Sequence, residues 1–186
     1  RTISKDWPKM TDDIKIIQET SIAGLLIIER PTFADDRGFF REVFRLNELE
    51  EFTGEKFNIV QANHSCSLPR VIRGLHAENW NKLVYRVTGK MFVALVDIRP
   101  ESKTFGEYLT FTFDEDSRKA LFIPKGLANS ICVIGDSPVH YFYLVDAYYD
   151  GKDTRAIAWD DHDLNIKLTL KDTIISDLDR NNQKLR

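Results

Sequence analysis

Between residues 24 and 149 the chain is cut into short apolar runs, each closed by turn-forming residues within a few positions. The runs are GLLIIERPTF (24–33), FNIVQANHSCS (57–67), VIRGLH (71–76), KLVYRVTG (82–89), KMFVALVDIR (90–99), EYLTFTF (107–113), ALFIPKGLA (120–128), SICVIG (130–135) and VHYFYLVDAYY (139–149). Val, Ile, Phe, Tyr and Thr suit a pleated, half-buried surface, and VTGKM, DIRPES, IPKG and IGDSP supply the turns between them. Short β-like runs with turn residues between them are the pattern of an all-β sandwich or barrel, and one β-sandwich is predicted. One helix is predicted at RLNELEEFTG (45–54), with Asn47 able to cap it and Gly54 able to stop it. The polar tail TIISDLDRNNQKLR (173–186) reads as a short helix or a draped segment. No tandem repeat, low-complexity stretch or compositional break divides the chain, so residues 1–186 are read as a single domain.

A chain of 186 residues buries about two-thirds of its unfolded surface, so neither a disulfide nor a metal is needed to hold such a sandwich together. Its formal net charge of −3 excludes a general nucleic-acid or membrane-surface binder. Cys66 and Cys132 sit far apart in β-like sequence rather than in a C-x-x-C, which predicts reduced, buried thiols. The segment RTISKDWPKMTDDIK has no apolar signal core, and no window approaches the roughly eighteen apolar residues of a membrane span. A cytoplasmic protein is expected, with no nucleic-acid or membrane partner.

Chemistry concentrates in VIRGLHAENWNKLV (71–84), where ionisable groups interrupt sequence that otherwise reads as strand, turn and strand. Strand alternation puts Gly74 and Ile72 on the face of His76, and Arg73 on the other unless a bulge intervenes. His76 and Lys82 can meet at one mouth if their two strands pair as a hairpin. The spacing resembles the metal signature of cupin jelly rolls, G-x5-H-x-H-x3-4-E-x6-G. In that frame His76 and Glu78 take the first two ligand positions, Lys82 falls where the acidic ligand belongs, and Gly89 closes the motif. The second cupin motif, P-x-G-x-x-H, becomes Pro124, Gly126 and Asn129. An ammonium offers no lone pair and an asparagine amide ligates weakly, so no transition metal is expected at this site. Taken singly, the histidine and lysine also fit a hydrogen-bonded core residue and a surface charge.

Several further motifs appear in order along the chain: DDRGFFRE (35–42), QANHS (61–65), IRGLH (72–76), KLVYRVTGKMFVALVDIRPESKTFGEY (82–108), IPKGLAN (123–129), YFYLVDAYY (141–149), IAWDDHDLNI (157–166) and IISDLD (174–179). Each is weak alone. As an ordered set, from about residue 22 to 180, they resemble the dTDP-4-dehydrorhamnose 3,5-epimerase family of nucleotide-sugar epimerases. The resemblance implies a cupin-type jelly-roll β-sandwich with one or two short peripheral helices. Residues 1–20 would then form an N-terminal extension and 167–186 a C-terminal tail folding over the site.

It also implies roles. The histidine of R-G-L-H is the family's general base, here His76, oriented by the aspartate that closes the I-L-S-x-K-D segment, here Asp179. The lysine of K-L-V, Lys82, faces the developing enolate oxygen, and the first tyrosine of Y-K-x-x-x-Y-Y, here Tyr143, serves as acid on the opposite face. Substrate contacts fall to Arg37 and Glu42, to Gln61 and Asn63, to Arg73, and to Asn129 with Lys82. His64 belongs to the N-H-S segment and is expected to hydrogen-bond backbone, and His140 to be structural. The chemistry is coherent on its own terms. A proton α to a ketone needs a base and a cation at the oxygen as charge develops, and a carboxylate behind an imidazole fixes its tautomer. Guanidinium groups bind diphosphate bidentately. Taken alone, Tyr143 also fits core packing, and Arg37 and Arg73 fit solvated charges.

The chain departs from the family in places. HAENWNK is shorter than the family's glutamine- and proline-containing loop, and the shorter loop with Trp80 is expected to reshape the pocket. Asn129 replaces a pocket histidine, Leu144 follows Tyr143 in place of lysine, Thr154 stands where a glutamate is usual, and Leu178 replaces the lysine before Asp179. The expected function is an epimerase inverting C3, C5 or both on a nucleotide-linked 4-keto-6-deoxy sugar. A nucleotide-diphosphate sugar is then the substrate, no cofactor is involved, and a homodimer is the assembly. The alternatives are a sugar-nucleotide ketoisomerase and a catalytically silent nucleotide-sugar-binding cupin.

Overall fold

The computed structural model describes residues 16–151, 155–168 and 170–185. In chain order the elements are β1 (Ile17–Glu19), β2 (Leu26–Glu29), β3 (Thr32–Asp35), β4 (Gly38–Arg41), helix α1 (Leu46–Thr53), β5 (Gln61–Ser67), β6 (Ile72–Ala77) and β7 (Lys82–Thr88). They continue with β8 (Met91–Asp97), β9 (Tyr108–Phe113), β10 (Lys119–Ile123), β11 (Leu127–Val133), β12 (Val139–Val145), β13 (Arg155–Ala156) and α2 (Asp177–Arg180).

Two antiparallel sheets face each other, in the cupin-type jelly-roll arrangement. The first has the order β1-β2-β10-β7-β12-β5, the second β13-β6-β11-β8-β9, and among the described residues β3 pairs only with β4. Strand alternation divides the side chains between faces. Val84, Met91, Val93, Leu95, Leu121, Ile123, Ile131, Val133, Val139 and Tyr141 point inward and form the core between the sheets. The intervening Leu83, Ala120 and Phe122 point outward, where Leu49 of α1 and Phe57 cover them. On the other outer face Leu75, Ala94, Val96 and Ala128 pack under Ile157 and Leu164. Each of the larger side chains (Leu, Ile, Val and Phe) contributes about 1.5–3 kcal/mol by leaving water, so both outer coverings stabilise the sandwich.

Several expectations change at this level. Strands β6 and β7 do not form a hairpin: they lie in different sheets, and the loop between them crosses the sandwich. The expected turn at IPKG divides the run 120–128: Lys119–Ile123 form β10, and Leu127 and Ala128 belong instead with the next run, in β11. Asn47 is inside α1, whose N-cap is Arg45 without a side-chain hydrogen bond; Gly54 does end the helix, at φ +71°. Ile17–Glu19, within the expected extension, is a strand of the first sheet. Cys66 is exposed because it points away from the core on the edge strand β5. Cys132 is buried, and burial pushes its thiol up to about 11. Among the described residues no helix is long and apolar enough to cross a membrane.

Candidate active site

A cavity of about 560 Å³ opens between the sheets, lined by Arg73, His76, Glu78, Lys82, Asn129 and Tyr143 and closed on one side by Ile174, Ser176, Leu178 and Asp179 of the tail. The five-stranded sheet contributes His76 and Arg73 from β6 and Asn129 from β11. The six-stranded sheet contributes Lys82 from β7 and Tyr141 and Tyr143 from β12.

Arg73 and His76 both line the cavity although an odd spacing separates them, because β6 is irregular between them. Gly74 has φ +115°, and the pairing with β11 shifts register between Asn129 and Ile131. A side chain at Gly74 would meet the Asn129 carbonyl oxygen at 2.5 Å, so only glycine permits this close approach of the two strands.

His76 is half-buried, and its Nε2 lies 2.6 Å from Asp179 Oδ1. A proton on Nε2 donated to that carboxylate leaves Nδ1 as the basic nitrogen. Asp179 is itself held by the short helix α2: its backbone N–H donates to Ser176 Oγ at 3.1 Å, and its Oδ2 accepts from the Gly74 N–H at 3.4 Å. The tail and strand β6 are stitched together further by the parallel bridge between Val71 and Ile174.

Across the cavity, Lys82 Nζ donates to Glu78 Oε2 at 2.9 Å and to Asn129 Oδ1 at 3.0 Å, and lies 5.2 Å from the centroid of the Tyr143 ring. Burial pushes the Tyr143 phenol above its ordinary value, assisted by Tyr141 and by the Glu78 carboxylate, with Arg73 opposing. Tyr143 is therefore a neutral acid near pH 7. Arg73 Nε donates to Ser67 Oγ at 2.8 Å and its Nη2 to the Cys66 carbonyl oxygen at 3.4 Å, and the residue is exposed at the cavity wall.

Six of the residues singled out in the sequence thus share one cavity: Arg73, His76, Lys82, Asn129, Tyr143 and Asp179. Four lie elsewhere. Arg37, at the β3–β4 turn, is paired with Asp35 at 2.5 Å and exposed; Glu42 is held by Arg30 at 2.8 Å and Arg45 at 3.0 Å. Gln61 and Asn63 bond to each other at 2.8 Å on β5, where Asn63 pairs with Tyr143 and Ser65 next along reaches the cavity. Trp80 is not part of the lining; it packs edge-on against Tyr149 at 6.0 Å. His64 bonds not to backbone but to His140, Nε2 to Nδ1 at 2.9 Å, on the outer face of the first sheet. Thr154 lies outside the described residues. Glu78 and Tyr141 also line the cavity and are not among the site residues the sequence points to, although each stands two positions from one of them: Glu78 from His76, just beyond the end of β6, and Tyr141 from Tyr143 on β12.

A cupin-type jelly roll with an acid–base cavity at one mouth defines the class, and comparison with known proteins places the chain within it. The family model described as dTDP-4-dehydrorhamnose 3,5-epimerase matches residues 19–186. The dTDP-4-dehydrorhamnose 3,5-epimerase of Shigella flexneri is 38% identical over 170 residues, 89% of this chain and 93% of that protein. The structure of dTDP-6-deoxy-D-glucose-3,5-epimerase from Legionella pneumophila, in complex with dTDP-4-keto-L-rhamnose, matches with a TM-score of 0.84 at 33% identity, covering 91% of this chain and 92% of that one. A 4-keto-6-deoxy sugar epimerase from Streptomyces spheroides matches with a TM-score of 0.86 at 28% identity, covering 91% and 86%. The chain belongs to the dTDP-4-dehydrorhamnose 3,5-epimerase family, whose members are isomerases.

Proposed function

We propose that the protein inverts C3, C5 or both on a nucleotide-linked 4-keto-6-deoxy sugar, by removing a proton α to the ketone and returning one from the other side. His76 Nδ1 takes the proton while Asp179 holds the ring and offsets the charge it gains. Lys82 donates to the ketone oxygen as it becomes an enolate, and Tyr143 delivers a proton to the opposite face of the carbon. Arg73 addresses the diphosphate, and Asn129 keeps the Lys82 ammonium in place. Proton removal and return conserve oxidation state, so the reaction uses no redox cofactor.

The observation that carries this reading is the placement of His76 and Tyr143 on opposite sheets of one cavity. A planar enolate lying between them is deprotonated from one wall and reprotonated from the other, and inversion follows from that geometry. The test is incubation with dTDP-, GDP- and CDP-linked 4-keto sugars in D2O, followed by NMR. Deuterium at C3 or C5 of an inverted product supports the proposal, and absence of exchange with every such sugar contradicts it.

A homodimer fits the same reading. The β3–β4 hairpin stands apart from both sheets, carries Arg37 at its turn and exposes Phe39 and Phe40. Set against a second copy, it would bury that apolar surface and bring Arg37 and Glu42 toward the neighbouring cavity, with Gln61 and Asn63 at its rim. We assign the protein to the cytoplasm, where an exposed free thiol such as Cys66 stays reduced.

A further inference from the structure

Lys82 is not a freely swinging cation. Its side chain is only 8% exposed, and two of the three N–H bonds of its ammonium are already directed, one to Glu78 and one to Asn129. Both acceptors come from the opposite wall, Glu78 just beyond the end of β6 and Asn129 from β11, so the ammonium bridges the cavity mouth. Among the described residues one N–H remains without an acceptor, and the Tyr143 ring 5.2 Å away bounds the space it can enter. Glu78 is itself largely enclosed, with a side chain 16% exposed. Its backbone carbonyl accepts from the Gly126 N–H at 3.3 Å, which anchors the start of the crossing loop.

We propose that Glu78 is a positioning residue for the proton transfer: it fixes the Lys82 ammonium so that the remaining N–H addresses the substrate carbonyl oxygen. The inference rests on the epimerase reading of this cavity. What Lys82 needs from Glu78 is an acceptor at the right place. The negative charge is a separate matter, because a carboxylate beside a developing enolate opposes the charge that Lys82 stabilises. Glutamine retains an acceptor oxygen of the same reach without the charge, whereas alanine removes both. Glu78→Gln and Glu78→Ala therefore divide the two effects.

The experiment measures deuterium exchange into the keto sugar for wild type, Glu78→Gln, Glu78→Ala, Lys82→Met and the double variant Glu78→Ala/Lys82→Met. Alongside it, the lysine ammonium ¹H–¹⁵N signal is recorded, with the Lys82 peak identified by its loss in Lys82→Met. Glu78→Ala is expected to lower the exchange rate by about tenfold to a hundredfold, the scale of a misplaced catalytic group, with KM little changed. Glu78→Gln restores a large part of that loss. Adding Glu78→Ala to Lys82→Met changes the rate by no more than about twofold, because Glu78 acts through Lys82. Equal losses with and without Lys82, or a Glu78→Gln variant as slow as Glu78→Ala, overturn the proposal while leaving the epimerase reading intact. If the wild type exchanges no keto sugar, that reading fails, and the ammonium signal still decides the positioning. A Lys82 peak present in wild type and Glu78→Gln but broadened away in Glu78→Ala supports it, and a peak unchanged in Glu78→Ala contradicts it.

Discussion

His76 and Lys82 flank one short loop, yet they belong to opposite sheets: His76 lies one residue before the end of β6 in the five-stranded sheet and Lys82 begins β7 of the six-stranded one. The loop is a bridge across the cavity mouth, so base and cation face each other instead of standing side by side on a hairpin. Glu78, within that bridge, reaches back to Lys82 and ties the two walls together.

The first prediction concerns the cation. Lys82→Met should keep the fold, since its neighbours Val84 and Leu83 hold β7 in both cores, but should slow turnover by about a hundred- to a thousand-fold, the usual loss for one donor to an oxyanion. Steady-state rates with circular dichroism as a fold control check this. A loss smaller than tenfold would remove Lys82 from the mechanism.

The second concerns the carboxylate behind the base. Asp179→Asn should leave His76 in place but permit the wrong tautomer, lowering exchange on the order of a hundredfold to ten-thousandfold. Truncation of the chain before Ile174 should do the same, because Ser176 and α2 are what present Asp179 to His76.

Much of this arrangement is legible in the sequence and some is not. The β runs and their turns are plain because period-two alternation and turn residues are local signals. Ordered motifs single out His76, Lys82, Tyr143 and Asp179 from segments distant in the chain. Which sheet a strand joins is not local, so the separation of β6 from β7 has no signature within VIRGLHAENWNKLV. The bulge at Gly74 is equally hidden, since it depends on the close approach of β11. Glu78 reads only as a failed metal position until its partner is seen across the cavity.

Asp97 provides a stability test away from the chemistry. It is fully buried at the end of β8; burial works to raise its carboxyl, but hydrogen bonds from Arg99, Ser102 and Thr104 outweigh this and hold it well below the usual carboxylate range. A depressed folded value contributes stability that is fully present above the unfolded value of about 4 and is lost as pH falls through the folded value. Asp97→Ala should cost about 2–3 kcal/mol in urea unfolding, a difference constant from neutral pH to about pH 5 and narrowing only in strong acid. A difference that grows on acidification would contradict the assignment.

For the assembly, sedimentation at micromolar concentration should give a dimer, and Phe39→Asp, on the exposed face of the β3–β4 hairpin, should shift it toward monomer. A wild-type monomer under those conditions would remove the hairpin from the interface.

The central claim is that proton removal and proton return occur at opposite walls. Tyr143→Phe tests it most directly, because the ring that packs against Tyr141 stays while the acid is deleted. In D2O this variant should still wash deuterium into C3 or C5 from the His76 side, with retention of configuration, while formation of inverted product falls. His76→Asn measured in parallel should show neither. Loss of exchange and of inversion in equal proportion in Tyr143→Phe would contradict the two-wall account.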